Sequence, residues 1–345
     1  MSKRAGLAFL TLGIGGLLLS LATAAQAAVT YSFTNFDGPN SGTNAGTGTN
    51  MNGIANNGVA VGFSIDNAGN FTNFVRNPNG TFTTLNAING IPNAMAFGIN
   101  TAGDVVGSAS GTAFFLPNGG SVQTLSTLGT GSAAFGLNDM GNIVGQFTSS
   151  GGTLPGFFLP SNSSVALVTI NAPSGPNSVN AQGINNSGLI VGFYVGTDGE
   201  DHGLMGQVSH AVGGTLTGTP LADPMIPPVP GEPGATFVFS QVLGINDHGI
   251  AVGYYGDSTT SQHGFVYDTL TGKYTFLDDP SEAFNAGVEV TQITGITNSG
   301  EITGFYSDAN GVFHGFVASP VPEPASLTLA GLGFLAAWLT NRRRQ

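Results

Sequence analysis

One short pattern recurs six times along this 345-residue chain, and it limits the possible folds more than any other feature. Each copy has a Gly, an aliphatic residue, three mostly polar residues, a second Gly, three mostly apolar residues and a third Gly. Successive copies lie 38 to 61 residues apart and begin at Gly53, Gly98, Gly136, Gly183, Gly244 and Gly295. Such recurrence indicates a modular repeat fold in which each module is one supersecondary unit.

Each copy predicts a β-hairpin. In Asn185-Asn186-Ser187-Gly188, for example, Asn at the first turn position can accept backbone hydrogen bonds, and Gly at the fourth can adopt the left-handed conformation of a bulged hairpin. The returning strand is apolar at consecutive positions, which predicts burial on both faces. The Gly that ends this run, Gly192 in the fourth copy, indicates a bulge or a close approach of another backbone.

Further strand patterns follow each hairpin. A third strand is predicted at 74–75, 113–116, 156–159, 202–204, 263–266 and 314–317. Most copies then turn into another apolar segment, such as Tyr274 to Leu277. Four short strands per repeat, at this period, predict an all-β fold, a β-propeller of six four-stranded blades.

The ends of the repeat region indicate how the ring closes. The last repeat stops after its third strand, near Val317. The segment from Tyr31 to Asp37 resembles the segment from Tyr274 to Asp279, and each precedes the next repeat by a similar distance. We therefore predict that the N-terminal strand completes the sixth blade and protects its edge.

Three of the third strands begin with His followed by Gly, at His202, His263 and His314. Structural hydrogen bonding of these histidines is favoured over a ring of imidazole metal ligands, since equivalent positions in different blades lie far apart. Together with the glycine-rich hairpins, these strands resemble the HAF family of extracellular repeats. That resemblance implies a repeat architecture and a location outside the cell, and no particular activity.

The N-terminal segment predicts an export signal. Lys3 and Arg4 precede an apolar stretch, and Ala25-Gln26-Ala27 offers a signal peptidase site with cleavage before Ala28. Residues 1–27 are therefore expected to be a signal peptide, and residues 28–320 the repeat domain.

The C-terminal residues 321–345 combine three elements in order. Pro322-Glu323-Pro324 is followed by an apolar run over 325–339, shorter than a comfortable membrane span, and by the basic tail Arg342, Arg343 and Arg344. This order resembles the PEP-CTERM sorting signal of Gram-negative bacteria. The resemblance implies transient membrane insertion, processing by an exosortase-like enzyme and release at the cell surface. Two hydrophobic sorting helices would then flank the repeat domain.

The charge balance excludes several partners. Within the predicted mature span Arg76 and Lys273 are the only Lys or Arg residues, whereas Glu323 alone of the 19 acidic residues lies outside it. An acidic surface repels phosphates and anionic lipid headgroups, so nucleic acid is not an expected partner. Neutral glycans and divalent cations are compatible with such a surface.

The chain has no Cys, which excludes thiol catalysis and cysteine metal sites.

Few residues point to chemistry. The sequence has no GxSxG, HExxH or phosphate-loop motif, so no catalytic residue is assigned and the protein is not expected to be an enzyme. Asp198, Glu200 and Asp201 form an acidic turn that would be solvated or would bind calcium weakly, without any other cofactor. Asp278 and Asp279 form a second acidic pair. The aromatic residues are expected first of all to pack between blades, and a stacking platform for sugar rings is the second choice for Tyr194, Tyr254, Tyr255 and Tyr306.

These features favour an exported cell-surface or matrix protein that binds a neutral polysaccharide, such as exopolysaccharide, or a surface protein, without catalysis. Two alternatives stay open. The first is a secreted glycan-degrading enzyme that uses carboxylates from several blades. The second is a purely structural coat component.

Overall fold

A computed structural model describes residues 30–161, 167–212, 214–225, 234–282 and 289–321. The predicted signal peptide with its cleavage site, the motif at Pro322–Pro324, the two sorting helices and the arginine tail lie outside these ranges. Within them, no helix is long and apolar enough to cross a membrane.

The described residues form antiparallel sheets, as the sequence predicted, and four-stranded units that we call blades recur along the chain. In blades one to three the strand order follows the sequence. Blade one contains β2 (Gly48–Ile54), β3 (Ala60–Ile65), β4 (Phe71–Arg76) and β5 (Phe82–Thr84). Blade two contains β6 (Met95–Ile99), β7 (Val105–Ala109), β8 (Thr112–Leu116) and β9 (Gln123–Thr124). Blade three contains β10 (Ala133–Leu137), β11 (Ile143–Gln146), β12 (Gly156–Leu159) and β13 (Val168–Asn171).

Blade five keeps that order, whereas blades four and six depart slightly from it. Blade four contains β14 (Val179–Ile184), β15 (Leu189–Val195), β16 (Asp201–Gln207) and β18 (Thr219–Pro220), while β17 (Thr215–Thr217) pairs in parallel with β13. Blade five contains β19 (Phe237–Ile245), β20 (Ile250–Asp257), β21 (Gln262–Asp268) and β22 (Lys273–Phe276). Blade six contains β23 (Thr291–Ile296), β24 (Ile302–Ser307), β25 (Phe313–Val321) and, from the other end of the chain, β1 (Thr30–Phe36).

The N-terminal strand occupies the place that the sequence predicted. Strand β1 runs antiparallel to β25 through seven residue pairs, from Thr30 opposite Val321 to Phe36 opposite Gly315. The ring of Phe33 packs edge-on against Phe316, with 5.1 Å between centroids. Blade six therefore unites strands from both ends of the repeat region. None of the sheets closes on itself, and the strand pairing that joins blades one and six into one sheet is the parallel pairing of Gly48 with Phe313.

The first strands of the blades contact one another in a cycle from β2 through β6, β10, β14, β19 and β23 back to β2. The first Gly of each repeat lies at these contacts. A Cβ on Gly183 would lie 3.1 Å from the Cα of Gly244, and one on Gly295 would lie 3.3 Å from the Cα of Gly53. Glycine is required here because no side chain fits between neighbouring backbones.

The hairpins have the predicted turn and bulge. In blade four, Gly188 at the turn has a φ of +81°. The register shifts between Ala181 and Gly183, opposite Gly192, and a Cβ on Gly192 would overlap the Asn180 carbonyl. The same shift occurs in the first hairpin of all six blades. The consecutive apolar residues Ile190 and Val191 are both fully buried, because each blade packs against a neighbour on either face.

Candidate functional site

Two layers of hydrogen bonds surround the point where the hairpin turns converge. The inner layer uses the first Asn of the turn. Asn185 Oδ1 accepts the N–H groups of Ser187 and Leu189 within its own turn, at 3.1 and 3.0 Å. Its Nδ2 donates to the Asn246 carbonyl of the next blade at 3.1 Å. Asn100, Asn138 and Asn246 donate to the next blade in the same way, so each of these asparagines shapes a turn and joins two blades.

The outer layer uses the second turn residue. Its side-chain oxygen accepts the backbone N–H of the equivalent residue in the neighbouring blade, as where Asp139 Oδ1 accepts from Thr101 N and Asp247 Oδ1 from Asn186 N, both at 2.8 Å. The series continues through Asn298 to Asn56. Burial alone would raise the pKa of Asp139, but hydrogen bonds from Thr101, Asn186 and Asn56 lower it below its ordinary value.

The space enclosed by these layers is about 60 Å³, and it is lined by the turn residues of all six blades. That volume holds a few water molecules and no sugar ring. The asparagines and glycines of the repeat therefore serve turn geometry and contacts between blades.

The three repeat histidines share one environment. Each imidazole lies between a carboxylate after the fourth strand of its blade and a carboxylate at or just after the end of the second strand. His202 contacts Asp223 at 3.2 Å and Asp198 at 3.0 Å, and His314 contacts Asp37 at 2.8 Å and Asp308 at 3.7 Å. These contacts match the predicted structural hydrogen bonding. Burial alone would lower the pKa of His202. The hydrogen bonds and negative charges of Asp223 and Asp198 have the larger effect, so the pKa of His202 lies above its ordinary value.

The predicted tyrosine platform is wrong. Tyr194, Tyr255 and Tyr306 pack against His202, His263 and His314 respectively, and Tyr254 donates a hydrogen bond to Gln241. All four side chains are buried, so their faces are not available to sugars. In a strand buried on both faces, a Tyr near the strand end fills the gap between blades.

The predicted calcium turn lies between β15 and β16. Asp198 accepts the Glu200 N–H at 3.1 Å and contacts His202, whereas Asp201 is half-buried and accepts from Gln241 Nε2 at 2.6 Å. Burial raises the pKa of Asp201. The two aspartates thus face different partners, and the calcium site stays a prediction.

A second acidic group lies where blade five ends and blade six begins. We call it the buried acidic cluster; it contains His263 with Asp257, the half-buried Asp278, Glu282 and Glu289, and also Asp279, whose N–H donates to the same Thr291 hydroxyl that donates to Glu282. His263 Nδ1 lies 3.0 Å from Asp278 Oδ2, and Nε2 lies 3.7 Å from Asp257 Oδ2. Burial would lower the pKa of His263, but these carboxylates raise it to about 9. Burial also raises the pKa of Glu282, and the negative charges of Asp278 and Glu289 add to that shift. Of these residues the sequence pointed only to His263, Asp278 and Asp279.

A cleft between blades one and two is a candidate site for a small ligand. Its volume is about 500 Å³, within the usual range for ligand pockets. Its apolar side chains come from both blades and include Val75, Leu85, Ile99, Val105 and Leu116.

Polar side chains cover the exposed rim of this cleft. They are Asn57, Asn77, Thr83, Thr84, Asn86, Thr101 and Asn118. Asn57 Nδ2 donates to the Thr101 carbonyl at 3.2 Å, and Asn118 Nδ2 donates to the Ala102 carbonyl at 2.8 Å. No charged or aromatic residue is among the described residues that line it. The sequence did not indicate this cleft, because its residues come from separate turns with ordinary turn composition.

Solved structures with a similar backbone come from unrelated functional classes. Virginiamycin B lyase from Staphylococcus aureus aligns with a TM-score of 0.46 and 10% identity, over 85% of this chain and 100% of that one. The lectin of Aleuria aurantia, a six-bladed β-propeller that recognises fucose, aligns with a TM-score of 0.42 and 12% identity, over 80% of this chain and 97% of that one. At this low level of similarity, neither the activity nor the ligand of these proteins can be assigned to this chain.

No curated protein matches the chain in sequence. The likeness to HAF repeats therefore stays a resemblance, while the predicted sorting signal is confirmed. Residues 320–344 match the PEP-CTERM protein-sorting motif, and this signal points to an exported, surface-sorted protein.

Proposed function

We propose that the protein is a non-catalytic surface or matrix component that binds a neutral polysaccharide in the cleft between blades one and two. The six blades would form one closed propeller that presents this cleft at the cell surface. The single observation that carries the proposal is the chemistry of the cleft, an apolar floor beneath a rim of amides and hydroxyls without charged groups.

This lining suits an uncharged carbohydrate. Amide and hydroxyl groups at the rim can exchange hydrogen bonds with sugar hydroxyls, and the aliphatic floor can cover the C–H faces of a sugar ring. A charged ligand would find no counter-ion in the lining. Glycoside hydrolysis needs two carboxyl groups at the scissile bond, and none lines this cleft.

The sorting motif supplies the location. Its presence is consistent with processing by an exosortase-like enzyme after signal peptidase has acted, which would bring the folded repeat domain to the exopolysaccharide of the producing cell. The acidic composition disfavours binding to phosphate-rich or anionic surfaces there.

A blocking substitution tests the proposal. Thr84 on β5 is exposed at the rim of the cleft, and Thr124 on β9 is the matching exposed position in blade two, since each pairs with the equivalent Phe of the third strand. Thr124 is not among the residues that line the cleft. Thr84→Trp should therefore fill the cleft, and Thr124→Trp should leave it open.

Binding of the full chain to the producer's exopolysaccharide and to neutral oligosaccharides is the measurement. We expect Thr84→Trp to weaken binding by at least about tenfold, which is about 1.4 kcal/mol, and Thr124→Trp to have no effect. Equal binding by the two variants would place the ligand elsewhere. Absence of binding by the wild-type chain would favour the structural coat, and release of reducing sugar would favour the enzyme.

A further inference from the structure

The buried acidic cluster holds donor atoms at distances suited to one metal ion. One atom each from His263, Glu282 and Glu289 forms a group in which no two atoms are more than 4.8 Å apart. All three residues are buried, and they come from strand β21 and from the segment that leads to β23. His263 belongs to blade five, and Glu282 and Glu289 lie in sequence between its last strand, β22, and the first strand of blade six, β23.

Two carboxylate oxygens of the cluster have no hydrogen-bond partner among the described residues. Glu282 is 6% exposed; its Oε2 accepts from the Thr291 hydroxyl at 2.6 Å, but Oε1 is buried and unpaired. Asp279 is fully buried; its Oδ1 accepts from Asn35 Nδ2 and Ser281 N, but Oδ2 is buried and unpaired. Buried carboxylate oxygens in this state cost free energy unless a proton or a cation compensates them.

Basic side chains do not provide that compensation in the described part of the chain. Only Arg76 and Lys273 lie there, and neither forms an ion pair with the cluster. Arg76 is in blade one, with its guanidinium 4.5 Å from the Phe36 ring centroid, and Lys273 is exposed at the start of β22. Among the described residues, His263 is the one cationic side chain that contacts carboxylates of the cluster.

We propose that His263, Glu282 and Glu289 bind one divalent transition-metal ion, of the Zn²⁺ or Mn²⁺ class. Calcium takes an all-oxygen ligand set, whereas zinc and manganese accept one imidazole nitrogen together with carboxylates. Asp278 on His263 Nδ1 matches the carboxylate that orients a metal-bound histidine, which makes Nε2 the ligating atom. Ligands about 2.1 Å from one ion are at most about 4.2 Å apart, so two donor atoms at the 4.8 Å limit would have to approach each other by at least about 0.6 Å.

Blades four and six contain the same Asp–His–Asp arrangement in a more open form. Asp198 and Asp37 are 55% and 57% exposed, so water can compensate their charges there. The described residues of these two blades do not add a pair of buried glutamates to the histidine. They therefore provide matched controls within the same chain, and the proposed metal would join the end of blade five to the start of blade six.

The test uses the full chain, stripped with a chelator and then titrated separately with Zn²⁺, Mn²⁺ and Ca²⁺ while the bound metal per chain is measured. We expect about one Zn²⁺ or Mn²⁺ per chain and a rise in the melting temperature on loading. Glu282→Gln should weaken binding by at least about tenfold. Asp198→Asn, which changes the equivalent open site of blade four, should bind as the wild type does.

Glu282→Gln is expected to fold, because the amide has nearly the same size as the carboxyl group, carries no charge to bury and keeps an oxygen acceptor for Thr291. Were it to fail to fold, Asp278→Asn would test the same site through the orientation of His263, with a smaller loss of affinity. The proposal is overturned if neither Zn²⁺ nor Mn²⁺ binds the folded wild-type chain, if only Ca²⁺ binds, or if the Glu282 and Asp278 variants both bind as tightly as the wild type. None of these outcomes depends on polysaccharide binding.

Discussion

Replacement of one glycine at the blade contacts should destabilise the whole repeat domain. A Cβ on Gly98 would lie 2.8 Å from the Phe135 carbonyl oxygen and 3.1 Å from the Cα of Gly136, both in the backbone of the next blade. Backbone atoms in a paired strand cannot rotate away as a side chain would. Gly98→Ala must therefore push blades two and three apart, and this displacement is resisted by the neighbouring contacts of the cycle.

The expected cost is about 2 kcal/mol, within the range of about 1–3 kcal/mol for an extra methyl group in a packed core. In a domain of this size such a loss lowers the melting temperature by about 4 °C. Gly151→Ala is the matched control, since a Cβ there meets only the Ser149 hydroxyl at 3.8 Å and φ is not positive. Thermal unfolding of both variants in the full chain is the assay. Equal melting temperatures for Gly98→Ala and the wild type would refute the close packing of the blades.

Two further predictions concern the hydrogen-bonded turns and the N-terminal strand. Because the folded-state pKa of Asp139 is lowered from 3.8, its stabilisation is present above that pH and is lost as the pH falls through the folded value. Denaturant unfolding at about pH 5 and about pH 3 should therefore show a smaller loss of stability for Asp139→Asn than for the wild type, and equal losses would contradict the assignment. Deletion of residues 31–37 removes nearly all of β1, leaves the hydrogen-bonding edge of β25 unpaired and removes Tyr31 and Phe33 from the core of blade six, so we expect no soluble folded protein. A truncated chain that melts like the wild type would show that β1 is dispensable.

The local structure was predictable because it depends on short-range rules. A Gly four residues into the turn had to be left-handed, and Gly188 is. A Gly after an apolar run had to mark a bulge or a close backbone, and Gly192 lies opposite a bulge. The antiparallel four-stranded units and the use of β1 as the last strand followed from the same repeats.

The contacts between blades were harder to predict, since they join residues far apart in the chain. The amide of Asn185 reaches the Asn246 carbonyl, 61 residues on, a contact that turn chemistry alone did not indicate. The tyrosine platform failed for the same reason. A strand end looks exposed in sequence, yet Tyr255 is covered by His263 and Phe276 in the structure. Glu282 and Glu289 gave no signal, because each stands alone outside the repeat.

Departures from the repeat locate the chemistry better than the repeat itself. Residues common to the copies already have structural contacts. Gly183 packs against the backbone of the next blade, and Asn185 uses its side-chain oxygen in its own turn and its NH₂ group in a hydrogen bond to the next blade. The uncharged cleft arises where the described residues that line it from blades one and two carry no charge, and the buried acidic cluster includes Glu282 and Glu289, which lie outside the repeat. A repeat fold of this kind needs its constant positions for assembly. Specific binding then has to come from the positions at which the copies differ, which is why Thr84 and Glu282 are the residues to change first.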